Sequence, residues 1–316
     1  MALFKPLFIA AAGTLGIGAA VAYRRAPERA LDAAIWTARA AARVRLRTVR
    51  AGDHQMAYLD GGRGEAIVFL HGFGGDKDSW VPLAALLSHR MRVLAPDLPG
   101  FGDSDYQPSA QYDVASQLDR LSAFLDAVEV DRVHLVGSAM GGQIAAAYAA
   151  RHPERVETLG LIAPLGVEAK NPTHIERAHQ KGELPLVART REEYERLLSL
   201  ASARPLPVPR RMKLAFIDRG LARAEISHKI GTDLLENPMS LEPLLSDIEA
   251  PTMALWGEDD RIADVSALEV FREKLPHAET IAIPACGHAP MIERPLETSR
   301  ALLALIHGER TERAAS

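Results

Sequence analysis

The chain has 316 residues, of which 47% are hydrophobic and 25% are charged. This length and composition are those of an ordinary globular protein, large enough for one α/β domain with an insertion or for two small domains. The net charge of −4 is unevenly distributed, because eight arginines lie between positions 24 and 50 and the rest of the chain is net acidic. An acidic body argues against nucleic acid as a partner, whereas the basic stretch suits an anionic lipid surface.

An apolar segment lies at the N-terminus. Pro6 to Tyr23 contains no charged residue and is bracketed by Lys5 and Arg24. As a helix this segment would be about 27 Å long, close to the thickness of the hydrocarbon core of a bilayer. We therefore predict a transmembrane anchor over residues 1–25. A cleavable signal peptide is the alternative, because an A-x-A sequence ends at Ala22.

Small residues recur at four-residue spacing within this apolar segment, at Ala12, Gly16 and Ala20. Such spacing lets two membrane helices approach each other closely. It predicts a homodimer contact through the transmembrane and juxtamembrane helices, although segments rich in Ala and Gly also show this spacing by chance.

Residues 26–45 have the pattern of an amphipathic helix. Leu31, Ile35 and Trp36 supply apolar side chains, and arginines lie opposite them. A helix of this kind suits the surface of a membrane beside an anchor. A solvated helix that packs on the following domain is the alternative.

From residue 43 onward, short apolar strands alternate with helical segments. Two alternating runs around Gly52 and Asp53 predict an antiparallel hairpin. The later runs are continuously apolar, as in buried parallel strands: AIVFL, MRVLAP, VHLVG, TLGLIAP, TMALWG and ETIAIPA. This alternation predicts a mostly parallel sheet flanked by helices, an α/β core that we assign to residues 46–164 and 248–316.

The alternation stops between the two parts of this core. Residues 165–247 contain helical patterns and prolines but no buried-strand run, and a capping box of Thr190 and Glu193 begins one predicted helix. We predict that this insertion forms a helical cap. It would cover the carboxyl ends of the strands, where open α/β sheets bind ligands.

The stretch VGSAMGG, Val136 to Gly142, follows a predicted strand and precedes a predicted helix. This is the context of a nucleophile elbow, the sharp turn written G-x-S-x-G. Gly137 and Gly141 are the small neighbours that such a turn needs, but Ala139 occupies the nucleophile position. Ser138 is one residue early, and its side chain should point away from that of residue 139.

Other polar candidates follow the predicted strands. WGEDDRI puts acidic residues at the end of one strand, and CGHAPMIERP puts His288 on the loop after the last strand. The acid would fix the tautomer and orientation of the histidine, which would take the proton of a nucleophile. In LHGFGG the N–H of Phe73, together with that of Met140, would face a developing oxyanion.

Three further residues are assigned structural roles. We expect His71 to organise its loop by hydrogen bonding, Asp97 to anchor a tight turn, and the single cysteine, Cys286, to pack in the interior. One cysteine excludes an intrachain disulfide. The sequence has no metal-ligand spacing and no phosphate-binding glycine loop, so we expect neither a metal nor a cofactor.

Together, these motifs resemble the α/β-hydrolase superfamily over residues ~45 to 308. More narrowly, they are similar to those of membrane-anchored bacterial lipases and phospholipases A and of mammalian monoacylglycerol lipases. Those proteins carry HGFGG, D-x-P-G-x-G-x-S, V-G-x-S-M-G-G, W-G-x-x-D and G-H-x-P-x-x-E-R-P. The resemblance implies Asp260 rather than Asp259 as the acid and His288 as the base. It implies Phe73 and Met140 as oxyanion donors, supported by His71, Gly72, Gly137 and Gly141.

The resemblance implies a serine carboxylester hydrolase that acts on membrane lipids, here inactive because Ala139 replaces the nucleophile. The retention of Asp260 and His288 favours an engineered change over a natural loss. A C–C bond hydrolase of ring-cleavage products and a lipid-binding pseudoenzyme are the alternatives. The resemblance also implies a single-pass protein of the bacterial inner membrane with a periplasmic body. The arginines that follow the apolar segment would by themselves favour a main domain on the cytoplasmic side of the membrane.

Overall fold

The computed structural model describes residues 26–205 and 207–309. The predicted anchor, residues 1–25, and the dimer contact through it lie outside these described residues. Across residues 26–205 and 207–309, no helix combines the length and the apolar character that crossing a membrane requires.

The described residues form an eight-stranded sheet at the centre of the fold. In chain order its strands are β1 (Val44–Ala51), β2 (His54–Gly62), β3 (Ala66–Leu70), β4 (Arg92–Pro96), β5 (Val133–Ser138), β6 (Val156–Ile162), β7 (Thr252–Gly257) and β8 (Glu279–Ile283). Their order across the sheet is β1-β2-β4-β3-β5-β6-β7-β8. The predicted hairpin of β1 and β2 is antiparallel, and β2 also pairs antiparallel with β4. The other pairings are parallel, so the prediction of a mostly parallel sheet is confirmed.

Helices cover both faces of the sheet. One face carries α3 (Val114–Ala127), α4 (Met140–Arg151) and α9 (Leu268–Lys274), and the other carries α2 (Val81–Leu87), α10 (Pro290–Glu293) and α11 (Pro295–His307). In β3, Val68 and Leu70 belong to the hydrophobic cluster on the first face, whereas Ile67 and Phe69 belong to the cluster on the second. This alternation follows from the two-residue period of a strand, and it explains why β3 is apolar throughout.

Helix α1 (Pro27–Ala41) precedes the sheet and ends earlier than the predicted segment 26–45. Arg43 has a φ of 59° and turns the chain, so that Val44 already pairs with Gly61 in the hairpin. The apolar side chains do not form one face as predicted. Leu31 is buried, whereas Trp36 is 70% exposed, because the inward stripe of this helix runs through positions 31, 35 and 38 at helical spacing.

The insertion between β6 and β7 contains α5 (His174–Gln180), α6 (Arg191–Ala201), α7 (Arg210–Leu221) and α8 (Ala224–Glu236). The capping box predicted at Thr190 and Glu193 begins α6, and Thr173 and Glu176 form a second one at α5. These helices differ in how far their residues are buried. In α8, Asp233 is buried and accepts the backbone N–H of Tyr112 of the core at 3.0 Å. Helix α6 has no buried residue among those described, and α7 packs against α1.

Candidate active site

The turn between β5 and α4 has a strained backbone. Ala139 occupies the turn with φ 50° and ψ −115°, a conformation that a residue with a side chain rarely adopts. Its N–H donates to the carbonyl of Ile162 at 3.0 Å, and its own carbonyl accepts from Gln143 at 2.9 Å and Leu165 at 3.1 Å. Strain of this kind costs about 1–3 kcal/mol and persists only where the surroundings enforce it. Here the three backbone hydrogen bonds enforce it.

The glycines around the turn are sterically required. A Cβ at Gly137 would lie 2.1 Å from the carbonyl oxygen of Gly141, and one at Gly141 would lie 2.2 Å from that of Leu70. A Cβ at Gly72 would lie 3.2 Å from the Cβ of Ala139. The loop that follows β3 therefore lies directly against residue 139.

The structure brings Asp260 and His288 together. His288 Nδ1 donates to Asp260 Oδ2 at 2.7 Å, and the Asp260 side chain has no solvent exposure. The other carboxylate oxygen accepts from the backbone N–H groups of Ile262 at 2.8 Å and Ala263 at 3.1 Å. Asp259 is exposed, and the hydrogen bond of His288 Nδ1 is to Asp260 instead.

Two opposing effects set the pKa of His288. Burial lowers it, but the charge of Asp260 and the hydrogen bond to that carboxylate outweigh burial, so the pKa is raised above its ordinary value. The backbone N–H of His288 donates to the carbonyl of Ala201 at the end of α6, at 3.0 Å. The imidazole is thus oriented both by the acid and by the insertion.

His71 organises the loop His71–Gly75, which we call the oxyanion loop after the role predicted for it from the sequence. Leu98 N–H donates to His71 Nε2 at 2.9 Å, so the ring carries its proton on Nδ1, which donates to the Gly72 carbonyl at 2.8 Å. Burial lowers the pKa of this histidine, which favours the neutral ring. Among the described residues, neither the Phe73 nor the Met140 N–H donates to another group. Both remain available to a ligand.

A buried ion pair follows the oxyanion loop. Lys77 and Asp97 are 2% and 0% exposed, and their Nζ and Oδ2 atoms are 2.6 Å apart. Asp97 also accepts the backbone N–H groups of Lys77 and Asp103, each at 2.7 Å. Asp97 therefore anchors its turn through a lysine partner. Sequence reasoning missed Lys77, because nothing in a local pattern pairs residues of two different loops.

Glu293 was also missed as a positioning residue. Its carboxylate accepts the backbone N–H of Gly287 at 2.9 Å and that of Ala203 at 2.8 Å. It thereby joins the histidine loop to the chain that follows α6. The signal was present in the sequence, because Glu293 is the glutamate of the G-H-x-P-x-x-E-R-P motif.

Two further residues, Cys286 and Ser138, carry side chains that act as nucleophiles in other enzymes, and both are buried. Cys286 is fully buried, and burial raises the pKa of its thiol to about 12, which suits a packing residue rather than a nucleophile. Ser138 is the last residue of β5 and is buried at 2% exposure. No group of three or more His, Cys, Asp or Glu side chains within residues 26–205 and 207–309 is arranged to hold a metal ion.

A model of the family described as alpha/beta hydrolase fold matches residues 65–295. The chain belongs to this α/β-hydrolase family. The matched residues include the oxyanion loop, the turn at Ala139, Asp260 and His288.

Similar proteins include lipases and a phospholipase. Lipase 1 of Psychrobacter immobilis is 30% identical over 257 residues, which cover 80% of this chain and 80% of the relative. A monoacylglycerol lipase of Mus musculus is 26% identical over an alignment of 321 positions, which covers 95% of this chain and 96% of the relative. A crystal structure of a membrane phospholipase A, described as a novel bacterial virulence factor, is 39% identical with a TM-score of 0.87. It covers 92% of this chain and 94% of the crystallised one.

The Asp260–His288 contact predicts an unusual titration. With Ala139 in place, His288 should titrate above the ordinary 6.5, and Asp260→Asn should lower its pKa because the two largest effects that raise it, the charge and the hydrogen bond of Asp260, are then lost. Side-chain NMR of the imidazole against pH measures this directly. Asp259→Asn is the matched control and should leave the midpoint unchanged. A shift from Asp259→Asn as large as that from Asp260→Asn would contradict the pairing.

Proposed function

We propose that this chain has the fold and the site of a lipid carboxylester hydrolase. Its catalytic triad would consist of the residue at position 139, which is the nucleophile position, together with His288 and Asp260. The observation that carries the proposal is the buried 2.7 Å contact between His288 and Asp260, on the same sheet as a strained strand-to-helix turn. A buried carboxylate that fixes one imidazole nitrogen leaves the other nitrogen for proton transfer. With alanine at the turn, the chain would bind an ester but would not cleave it.

With serine at position 139, the hydroxyl oxygen attacks the ester carbonyl while its proton passes to Nε2 of His288. Asp260 stabilises the imidazolium that forms. The N–H groups of Phe73 and Met140 donate to the oxyanion of the tetrahedral intermediate. Collapse of this intermediate releases the alcohol, which takes the proton from His288. A water molecule then cleaves the acyl-enzyme by the same two steps and regenerates the serine.

Two observations favour a lipid as the ester. The similar proteins are named lipases and a phospholipase A, and one is 39% identical over nearly the whole chain. The adjacent helices α1 and α7 expose large apolar side chains, with Trp36 at 70% and Phe216 at 39% exposure. Apolar groups beside a basic stretch suit an anionic membrane surface. We propose a phospholipase A, lysophospholipase or monoacylglycerol lipase type of activity.

We propose that residues 1–25 anchor the catalytic domain in the bacterial inner membrane. The domain would lie on the periplasmic face, and the chain would form a homodimer through the transmembrane and juxtamembrane helices. The apolar segment Pro6 to Tyr23 leads into α1 within a few residues. The exposed Trp36 would therefore lie close to the lipid headgroups, where tryptophan is favoured.

The first test restores the missing oxygen. We expect the Ala139→Ser variant to hydrolyse a medium-chain p-nitrophenyl ester about 10³-fold faster, or more, than the protein with Ala139, because catalytic triad residues act as a unit. Ala139→Ser combined with His288→Ala should return to background, whereas Ala139→Ser combined with Ser138→Ala should remain active. A folded but silent Ala139→Ser protein would support the pseudoenzyme instead. Preference for a dienoate over esters would support the C–C bond hydrolase.

The second test concerns the anchor. Full-length protein should stay with membranes through high-salt and carbonate washes, because salt screens charges but does not extract a buried apolar helix. A chain that starts at Pro27 should be released by high salt, since only α1 would then contact the surface. N-terminal sequencing of mature protein gives the decisive control. A mature chain that begins at Tyr23 would identify a signal peptide and contradict the anchor.

A further inference from the structure

A short 3₁₀ helix, Lys77–Trp80, follows the oxyanion loop directly. Asp76 caps it by accepting the N–H of Asp78 at 2.8 Å. The same aspartate follows Gly75, whose N–H donates to the Gly72 carbonyl at 3.0 Å. Three residues, Gly74 to Asp76, separate Phe73 from the 3₁₀ helix, and these two hydrogen bonds hold the segment between them. We therefore expect a displacement of the 3₁₀ helix to move the Phe73 amide.

The inner side of this 3₁₀ helix is held by the core. Lys77 is fixed by Asp97 through both its backbone and its side chain. Trp80 is fully buried and stacks on Phe69 of β3, with the ring centroids 4.8 Å apart. The 3₁₀ helix also packs against α10, which follows His288.

Its outer side is held by α1. Arg39 Nε and Nη2 donate to the two carboxylate oxygens of Asp78, each at 2.6 Å. The two side chains are only 16% and 20% exposed, so water screens this pair less than a surface ion pair. A bidentate guanidinium–carboxylate contact fixes direction as well as distance, which a lysine would not do.

The charges around Lys77 show why the arginine is needed. Asp76, Asp78, Asp97 and Asp103 are close together, and burial with the charges of Asp78 and Asp97 raises the pKa of Asp76 to about 7. Lys77 pairs with Asp97 and Asp103. Among the described residues, Arg39 is the cation that forms an ion pair with Asp78, whereas Asp76 repels it when ionised.

We propose that Arg39 is a positioning residue for catalysis. By holding Asp78, it fixes the 3₁₀ helix so that the Phe73 N–H is aimed at the oxyanion before the ester arrives. The placement of α1, the helix next to the predicted anchor, thereby sets the catalytic rate. This inference rests on the proposed hydrolase function. Oxyanion donors act on the transition state, so loss of Arg39 should lower kcat and leave KM nearly unchanged.

The kinetic test uses the Ala139→Ser background in the full chain. Complete loss of an oxyanion donor costs about 10²–10³ in kcat, and we expect Arg39→Ala, which misplaces one donor, to cost about 10-fold with KM within about twofold. Asp78→Asn should match it, and the double variant should lose no more than either single one. Arg39→Gln serves if Arg39→Ala does not fold.

Asp32→Asn is the matched control. It breaks the other ion pair of α1, Asp32 with Arg219 of α7 at 2.7 Å, and should leave kcat unchanged. A fall in kcat from Asp32→Asn equal to that from Arg39→Ala would show a general effect of α1 packing and overturn the proposal. An unchanged kcat in an active Arg39→Ala protein would also overturn it.

A second readout needs no catalysis. In the chain as given, Arg39→Ala should speed amide hydrogen exchange in residues 71–80, whereas Asp32→Asn should not. If Ala139→Ser proves inactive, the hydrolase function fails, yet exchange still decides whether Arg39 holds the oxyanion loop. Exchange that stays the same in Arg39→Ala overturns the positioning role whatever the activity.

Discussion

The close approach of two backbones at the turn between β5 and α4 is the constraint on which the site depends. Gly137 and Gly141 leave no room for a Cβ, and Ala139 lies between them with a φ of 50°. The oxyanion loop lies against the same turn, because Gly72 is in contact range of Ala139. This strain is stored in the backbone, so it does not depend on whether residue 139 carries a hydroxyl. Alanine at position 139 is therefore compatible with this turn.

The polar groups around the turn are buried but paired. Burial of a charge is costly unless hydrogen bonds and an opposite charge compensate for it. Asp260 has three donors, His288 and the amides of Ile262 and Ala263, and Asp97 has its own lysine and two amides. The backbone N–H groups of Phe73 and Met140, by contrast, have no partner among the described residues. Donors left free beside such fully paired groups are what a site for a developing negative charge requires.

The sequence predicted what local patterns determine. Period-two and continuous apolar runs predicted the strands, glycine spacing predicted the turn, and Thr190 with Glu193 predicted the start of α6. It missed what depends on contacts between distant residues. Lys77 and Asp97 are 20 positions apart, and Arg39 and Asp78 are 39 positions apart, so no periodicity signals either pair. The grouping of Trp36 with Leu31 was wrong because apolar composition does not reveal which side of a helix the core will cover.

Helix α1 forms ion pairs both with the insertion and with the 3₁₀ helix that follows the oxyanion loop. Asp32 and Arg39 are two helical turns apart and so lie on the same side of α1. The first binds Arg219 of the insertion and the second binds Asp78 beside the oxyanion loop. A rotation of α1 about its axis would therefore disturb the insertion and the oxyanion loop together. Trp36 lies on the exposed side of the same helix. A surface that bound this tryptophan would therefore contact the helix that is paired with both the insertion and the segment beside the oxyanion loop.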